Sequence, residues 1–292
     1  MSFHIGILQL KKELDDTVEG FLAGLKKAGL DSEEIEIDYR NVQENVPSFG
    51  QEADDLVASG VDLIFACTTP AAKFAKEATE FYGIPVVFAP VYDPLAAGLV
   101  ASWQGSGNHL AGVSGKVDVA LKLDLLQALR PGLGKVAVPY DPDDPNAPLE
   151  LADLGKEAEA RGIEILPLKV HDPNMLGELP MLEGSQFVYV PICRMIEDNF
   201  RPLAEYCYRE KLPLCGPNAH TVREGALCCV DSLHYELGVQ VGEIAAQILQ
   251  GRDPGEIPIG RPKKTKVFIN QRVAEKVGVE TSGLKDVEII NS

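Results

Sequence analysis

The stretch from Val61 to Phe74, VDLIFACTTPAAKF, constrains the fold of this chain more than any other segment. Its apolar residues Val61 to Ala66 do not alternate with polar ones, which is typical of a strand buried on both faces of a sheet. Thr68, Thr69 and Pro70 supply an N-cap and a first-turn proline, so the strand should lead directly into a helix. This junction would place backbone N–H groups and two hydroxyls at the positive end of a helix dipole. It could bind a small anion such as a carboxylate; alternatively, Thr69 only caps its helix.

Strands and helices alternate along the chain with short connections. From Phe3 to Phe88 the pattern is βαβαβαβ, which predicts a doubly wound parallel sheet. The segment from Ala89 to His109 interrupts this pattern with prolines and glycines. From Lys135 the same order of elements begins again, with a helix expected from Met195 to Arg209. We therefore expect an α/β fold of two doubly wound parallel-sheet lobes, with the ligand in a cleft between them.

The composition narrows the partners that this chain can have. Its 292 residues exceed one average domain, and 45% of them are hydrophobic, which is enough for sizeable cores. It carries 27 basic and 44 acidic residues, and the net charge of −17 argues against nucleic acid or an anionic membrane as a partner. No apolar run reaches the roughly 18 residues that a membrane-spanning helix needs.

The first residues, MSFHIGILQLKKELDD, show no sign of a targeting segment. They lack a basic stretch, a long apolar stretch and a small-residue cleavage site. We expect either a cytoplasmic protein or one whose signal sequence is absent from the sequence as written.

Polar side chains follow the predicted strands at the edge where open α/β folds bind ligands. Hydroxyl, amide, aromatic and oppositely charged groups occur there, a set that suits a small zwitterion. Threonine hydroxyls, a helix N-terminus and Arg194 would bind the carboxylate, and Asp93 or Asp231 would bind the amine. The candidate ligand-binding residues are Gln9, Thr68, Thr69, Tyr92, Asp93, Ser114, Tyr140, Cys193, Arg194, Asn218 and Asp231.

The charged candidates also have purely structural interpretations. Asp93 precedes a proline and could form a turn. Asp231 could cap the helix that follows it. Arg194 could pair with Glu197 in its own helix.

Signals of catalysis are weak. The five histidines show no metal-binding spacing, and the chain has neither a Gly-x-Ser-x-Gly elbow nor a phosphate-binding loop. We therefore expect no enzymatic activity, no metal and no cofactor. The six cysteines show no C-x-x-C spacing and are best interpreted as small buried hydrophobes. An alternative stays open, in which Cys67 and Cys193 act as acid and base of a racemase or lyase.

Several segments together resemble one known family. They are IGILQL, GFLAGLKKAG, EIDYRN, VDLIFACTTPAAKFA, GIPVVFAPVYDPLAAGLV, AGVSG, YVPICRMI and REGALCCVDSLHYELGVQVGEIAAQILQG, and in this order they span nearly the whole chain. By these segments the chain resembles the substrate-binding proteins of ABC transporters with the type I periplasmic-binding fold. Within that family it is similar to the group of tryptophan- and tyrosine-type amino-acid binders.

The resemblance implies lobes, ligand contacts and a partner. Lobe one would comprise residues 1–113 and 234–261, and lobe two residues 114–233 and 262–292, joined by three crossings and closing on the ligand. The ligand would be a small carboxylate-bearing metabolite, an amino acid or an analogue, delivered outside the cytoplasm to an ABC permease. The positions that match the family's ligand loops are Thr68, Thr69, Asp93, Ser114, Tyr140, Arg194, Asn218 and Asp231.

Three departures from the family's pattern leave the identity of the ligand open. Cys193-Arg194 stands where relatives usually carry small polar residues, and Pro217-Asn218 replaces a more usual acidic pair. Cys67-Thr68 replaces small residues. A cytoplasmic small-molecule sensor or regulatory module on the same fold is the alternative function.

Overall fold

The computed structural model describes residues 2–179 and 184–291. The chain divides into two compact units, which we call unit 1 (Met1–Lys116 and Ser232–Lys264) and unit 2 (Val117–Asp231 and Thr265–Ser292). The crossings expected from the resemblance lie a few residues from these divisions, and the lobe limits themselves stay a prediction.

The elements are numbered along the whole chain. The first part contains β1 (Phe3–Gln9), α1 (Asp15–Lys27), β2 (Ile35–Asn41), α2 (Phe49–Ala58), β3 (Leu63–Ala66), α3 (Thr69–Thr79), β4 (Val86–Val91) and β5 (Leu110–Ser114). The middle part contains α4 (Val119–Leu129), β6 (Lys135–Tyr140), α5 (Ala147–Ala160), β7 (Glu164–Lys169), β8 (Phe187–Tyr189), α6 (Arg194–Glu197) and α7 (Phe200–Arg209). The last part contains β9 (Leu214–Cys215), α8 (Ala219–Arg223), β10 (Cys228–Ser232), α9 (His234–Leu249), β11 (Thr265–Asn270), α10 (Gln271–Val277) and β12 (Val287–Ile290).

Unit 1 is built on a five-stranded sheet in the order β2-β1-β3-β4-β5, with every pair parallel. Successive side chains of a strand point to opposite faces, and both faces of this sheet are covered. Leu63 and Phe65 pack into the core that contains α1 and α9, whereas Ile64 and Ala66 pack into the core that contains α2 and α3. The strand predicted from the unbroken apolar run is confirmed, and both of its faces are buried.

Helices α1 and α9 pack unusually closely in unit 1. Both carry glycines four residues apart, Gly20 and Gly24 in one and Gly238 and Gly242 in the other. A Cβ atom on Gly24 would lie 2.3 Å from the backbone oxygen of Val239. The absence of side chains at these positions therefore permits backbone contact between the two helices.

Unit 2 contains a seven-stranded sheet in the order β12-β11-β10-β9-β8-β6-β7. The pairs β6–β7, β6–β8, β8–β9, β9–β10 and β11–β12 are parallel. One core covers a face of this sheet and includes Leu126 of α4, Leu154 of α5 and Phe187 of β8. The predicted α/β fold with two parallel-sheet lobes is confirmed.

The single helix predicted from Met195 to Arg209 is wrong. The structure has two helices, α6 and α7, separated by Asp198 and Asn199, and the φ of −126° and ψ of 36° of Asn199 are not helical. The Asn199 side chain donates a 2.9 Å hydrogen bond to the carbonyl oxygen of Met195, and asparagine competes in this way with helical backbone bonds.

Several short elements were not predicted. They are α8, α10 and β12, which have five, seven and four residues. Segments of this length are too short to show a clear hydrophobic period. None of the helices within the described ranges is both long enough and apolar enough to cross a membrane.

Candidate functional site

Thr68 follows β3 directly and has an unusual backbone conformation. Its φ of 90° and ψ of 162° lie in a region used essentially by glycine alone, and such a residue carries about 1–3 kcal/mol of strain. Its Oγ1 atom is buried and has no hydrogen-bond partner among the residues that the structure describes. Strained backbones and buried polar atoms without partners cluster at functional sites, so Thr68 is a candidate ligand-binding position.

Helix α3 begins at Thr69, immediately after this residue. Thr68 occupies the N-cap position but makes no capping hydrogen bond with its side chain. The alternative that Thr69 only caps its helix is therefore wrong. Pro70 has no N–H, and the N–H of Ala72 donates to the carbonyl oxygen of Thr68 at 3.1 Å. The N–H groups of Thr69 and Ala71 have no acceptor within the helix, so they and the two hydroxyls are donors suited to an anion.

Gln9 ends β1 in unit 1, and its amide is committed to neighbouring protein groups. Its oxygen accepts a 2.8 Å hydrogen bond from the backbone N–H of Leu10, and its nitrogen donates to Oδ1 of Asp15 at 3.3 Å. The hydroxyl of Tyr39 donates to the same Asp15 oxygen at 2.8 Å. Burial and this bond raise the pKa of Tyr39 to about 12, so Tyr39 is a neutral donor. We infer that Gln9 fixes the loop between β1 and α1 through these hydrogen bonds.

The predicted ligand-binding residues that follow β4 and end β5 form hydrogen bonds and an ion pair with neighbouring groups of unit 1. Oδ1 of Asp93 accepts hydrogen bonds from two backbone N–H groups of the turn that follows it, at 3.1 and 3.0 Å. Oδ2 of Asp93 lies 3.7 Å from Nζ of Lys116, which also lies 5.4 Å from the ring centre of Tyr92. The hydroxyl of Ser114 is fully buried and donates to the carbonyl oxygen of Tyr92 at 2.6 Å. Asp93 and Ser114 therefore have clear structural roles, as the alternative interpretation of Asp93 expected.

In unit 2, carboxylates bind the backbone of the loop that follows β8. The N–H of Ile192 donates to Oε2 of Glu150 at 2.9 Å, and the N–H of Cys193 donates to Oε1 of Glu197 at 3.1 Å. The loop after β8 therefore has its anion-binding groups occupied by the protein's own side chains.

Arg194 is the first residue of α6, and its side chain is exposed. Its backbone N–H donates to Oδ2 of Asp144 at 3.1 Å. Its guanidinium pairs at 3.5 Å with Asp198, one turn further along the chain, and not with Glu197. The side chains of this ion pair are more than 60% exposed, so the pair contributes little stability.

Glu197 connects two strand-end loops of unit 2. Its Oε2 accepts a 2.6 Å hydrogen bond from Nδ2 of Asn218, which follows β9, while its other oxygen binds the loop after β8. Burial raises the pKa of Glu197 to about 7, although the hydrogen bonds from Asn218 and Cys193 oppose this effect. Asn218 also caps α8 by accepting a bond from the N–H of Thr221. The Asn218 side chain is therefore shared between a cap and a carboxylate.

The remaining predicted residues also lie at the carboxyl ends of strands in unit 2. Tyr140 is the last residue of β6 and is buried. Asp231 lies in β10, and its Oδ2 accepts a 3.0 Å hydrogen bond from the N–H of Ala219. It does not cap α9, whose N-cap is Leu233 without a side-chain bond.

Sequence reasoning missed a buried ion pair in unit 2. Nζ of Lys122 lies 2.5 Å from Oε1 of Glu150, and both side chains are almost completely buried. Tyr189 donates its hydroxyl to the same oxygen. Burial would raise the pKa of Glu150, but Lys122 and the bonds from Ile192 and Tyr189 hold it below its ordinary value.

The sequence contains a signal for this pair. Glu150 lies on the same helical face as Ala147, Leu154 and Ala158, all of which are buried. Lys122 stands inside the apolar helix VALKLDLLQAL. A charged residue at an apolar helical position predicts a buried partner of opposite charge.

One group of side chains among the described residues could hold a metal ion. Asp141, Asp143 and His171 place one ligand atom each within 4.8 Å of one another in unit 2. Two of the three are exposed, and the N–H of Asp143 already donates to Oδ1 of Asp141 at 2.9 Å. The spacing of the histidines along the sequence did not reveal this group, because two loops bring its members together.

The cysteines are free and buried. Burial raises the pKa of the Cys67 thiol well above its ordinary value, and it also raises the pKa of Cys193. Buried thiols with raised pKa values are poor acids and are scarcely ionised near neutral pH, so the reactive thiolate is almost absent. This favours the interpretation of the cysteines as small buried hydrophobes.

Two α/β units with polar side chains at the carboxyl ends of parallel strands define a protein of the periplasmic-binding-protein-like fold class. The chain belongs to the ABC transporter substrate binding protein family, whose model matches residues 5–285. Like other members of that family, it is the substrate-binding component of an ABC transporter, as the resemblance implied.

Similar proteins include a curated relative and solved structures. The Tyrosine-binding protein of Clostridioides difficile (strain R20291) is 28% identical over 294 residues, which cover 99% of this chain and 85% of that protein. A ligand-free, open substrate binding protein with adhesive properties from Clostridium difficile has a TM-score of 0.89 and 29% identity, covering 99% of both chains. A domain from Streptococcus pneumonia in complex with L-Trp has a TM-score of 0.83 and 26% identity, also covering 99% of both chains.

Proposed function

We propose that this chain binds a free α-amino acid outside the cytoplasm and presents it, chemically unchanged, to the permease of an ABC transporter. The observation that carries the proposal is the buried, unpaired hydroxyl of Thr68 at the start of α3. The similarity to a tyrosine-binding protein and to a domain that binds L-Trp supports an amino acid as the ligand class.

The donors around Thr68 suit the carboxylate of such a ligand. The Thr68 and Thr69 hydroxyls and the N–H groups of Thr69 and Ala71 can donate, and the helix dipole favours a negative charge there. A hydrogen bond to a charged group is stronger than one between neutral groups. The carboxylate would also pair the Thr68 hydroxyl, so binding would remove the cost of an unsatisfied buried group.

The amine of the ligand needs an acceptor, and the sequence predicts two candidate carboxylates, Asp93 and Asp231. Lys116 lies 3.7 Å from Asp93 and partly neutralises it, and two backbone N–H groups occupy its other oxygen. Asp231 accepts a 3.0 Å hydrogen bond from the N–H of Ala219 and is the other candidate. Arg194 is a weak candidate for binding the ligand's carboxylate, because it is exposed and paired with Asp198.

A transport role without catalysis agrees with the state of the cysteines. An acid and base pair formed by Cys67 and Cys193 would need accessible thiols that ionise near neutral pH, whereas burial raises the pKa of both. No contact described above favours the alternative of a cytoplasmic sensor.

Calorimetric titration of the wild-type protein with the twenty amino acids, L-tyrosine and L-tryptophan first, tests the ligand class. The variant Thr68→Val then tests the site, because it keeps the shape of the side chain and removes the hydroxyl. Losing a hydrogen bond to a charged group should weaken binding by about tenfold or more.

The matched control is Thr17→Val in α1, which also removes a buried hydroxyl without a partner among the described residues. Both variants should be at least as stable as the wild type, since each removes an unsatisfied buried group. Only Thr68→Val should lose affinity. An unchanged affinity in Thr68→Val would refute the site, and failure of every amino acid to bind would refute the ligand class.

A further inference from the structure

Three consecutive backbone N–H groups in unit 2, those of residues 192–194, are each bound by a carboxylate. Glu150 binds the first at 2.9 Å, Glu197 the second at 3.1 Å and Asp144 the third at 3.1 Å. These residues form the end of the loop after β8 and the start of α6. The backbone conformation of this loop is therefore fixed by hydrogen bonds to side chains of other segments and of α6.

Of the three carboxylates, Glu150 is the one fully buried. It comes from the first turn of α5 and contacts Lys122 of α4, Tyr189 of β8 and the N–H of Ile192. A buried carboxylate without a cation would tend to take up a proton. Lys122 keeps it ionised, so Glu150 remains a strong acceptor for the loop N–H.

We propose that Glu150, packed against Lys122, is a positioning residue whose acceptor oxygen holds the loop after β8 in the conformation that the ligand-binding edge of unit 2 requires. This inference rests on the proposed function, because Cys193 and Arg194 of this loop are candidate ligand-binding positions. Neither Lys122 nor Glu150 needs to touch the ligand. Glu150 acts through the N–H of Ile192.

Stability alone would be the competing explanation for the pair. Replacing a buried ion pair with apolar residues of similar size is often neutral or stabilising, so a buried pair is weak support for a purely structural role. A pair kept for positioning should reveal itself in the geometry of the loop and in ligand affinity.

Two double variants separate these explanations. Lys122→Met/Glu150→Gln removes both charges and keeps an amide oxygen that can accept from Ile192. Lys122→Met/Glu150→Leu removes the charges and this acceptor together. The two proteins therefore differ at a single side chain of similar size, and the relevant difference is the hydrogen bond to the loop.

Hydrogen exchange measured on the peptide that contains Ile192 gives a readout that does not depend on the ligand. The amide of Ile192 should exchange at least about tenfold faster in the Leu variant than in the Gln variant, because its acceptor is gone. Exchange in β6 and β9 should be the same in both proteins. Equal exchange of the Ile192 amide in the two variants would overturn the proposal whether or not an amino acid binds.

Titration with L-tyrosine, or with whichever amino acid the wild type binds, gives the second readout. We expect the Gln variant to bind within a few-fold of wild type and the Leu variant to bind about tenfold more weakly, a difference of one decade in Kd. Faster exchange combined with equal affinities would show that the loop moves without consequence for binding, and it would also overturn the proposal. Failure of the wild type to bind any amino acid would instead refute the proposed function.

Two further variants serve as controls, one for a failure to fold and one for the contribution of Tyr189. Should Lys122→Met/Glu150→Leu not fold, Lys122→Met/Glu150→Ala makes the same comparison without overpacking. Tyr189→Phe removes one bond to Glu150 and leaves those with Lys122 and Ile192. It should therefore change neither the exchange of the Ile192 amide nor the affinity, and a change as large as that of the Leu variant would assign the positioning to Tyr189.

Discussion

Asn218 donates a 2.6 Å hydrogen bond from Nδ2 to Oε2 of Glu197, and this bond joins the loops that follow β9 and β8 in unit 2. The other oxygen of Glu197 binds the N–H of Cys193, so one carboxylate organises two loops. Burial raises the pKa of Glu197 from 4.5 to about 7, so this carboxylate changes its charge near neutral pH.

The first prediction concerns the pH dependence of stability. The unfolded chain releases the Glu197 proton near pH 4.5, whereas the folded protein holds it until about pH 7. The folded state is therefore favoured below pH 4.5, and this contribution is lost as the pH rises through 7. The loss is up to about 3 kcal/mol for a shift of this size, and less where solvent reaches the carboxylate.

Urea unfolding at pH 5 and pH 8 measures this effect in wild type and in Glu197→Gln. We expect the variant to gain stability relative to wild type as the pH rises. Asp198→Asn, at the exposed neighbouring position, is the control and should follow the wild type. A constant difference between Glu197→Gln and wild type at both pH values would contradict the assignment.

The second prediction concerns the strained backbone at Thr68. Glycine adopts a φ of 90° without strain, so Thr68→Gly should stabilise the unliganded protein by roughly 1 kcal/mol while it weakens ligand binding. Thr69→Gly is the control, because Thr69 is helical and glycine there should destabilise by up to about 1 kcal/mol. Thermal unfolding of both variants without ligand measures these changes in stability. A Thr68→Gly variant less stable than wild type would show that this conformation is not strained.

The third prediction concerns the contact between α1 and α9. A Cβ atom on Gly24 would lie 2.3 Å from the backbone oxygen of Val239, which a side-chain movement cannot relieve. Gly24→Ala should therefore cost about 1–3 kcal/mol or more, as overpacking of a core does. Gly155→Ala in α5 meets no atom within 4 Å and should instead stabilise by about 0.5–1 kcal/mol, as alanine does in a helix. Denaturant titration compares the two, and equal effects would contradict the close packing.

The fourth prediction concerns the thiols. Because the cysteines are buried and free, a thiol reagent such as DTNB should modify all six in guanidinium chloride and essentially none in the first minutes in the folded protein. The raised pKa values of Cys67 and Cys193 act in the same direction, since the thiolate is the reactive form. A fast reaction at Cys67 or Cys193 in the native protein would revive the hypothesis of a catalytic thiol.

The order of strands and helices could be predicted from the sequence because its signals are local. The apolar run that ends at Ala66 needs no distant residue to be recognised as a buried strand, and the following threonines and proline mark the helix start. The same reasoning failed between Met195 and Arg209, where the Asn199 side chain bonds back to Met195 and ends the helix early. The short elements α8, α10 and β12 contain too few residues to show a hydrophobic period.

The candidate site could be predicted as a set of strand ends, and the residues after those strands are polar as expected. Which of their groups are available could not be predicted, because pairing depends on segments far apart in the chain. Ser114 and Asp93 are held by their neighbours, Arg194 is exposed, and Glu150 reaches the loop after β8 from a helix more than forty residues earlier.

The sequence by itself determined the α/β class, the family and the strand ends that polar residues follow. Hydrophobic periodicity and turn residues can be recognised within a few consecutive residues. Only the tertiary structure decided that Thr68 has a strained backbone and a hydroxyl without a partner among the described residues. It also decided that Glu150 and Glu197 accept hydrogen bonds from the N–H groups of the loop after β8. The physical reason is that hydrogen bonds and burial depend on which distant groups the fold brings together.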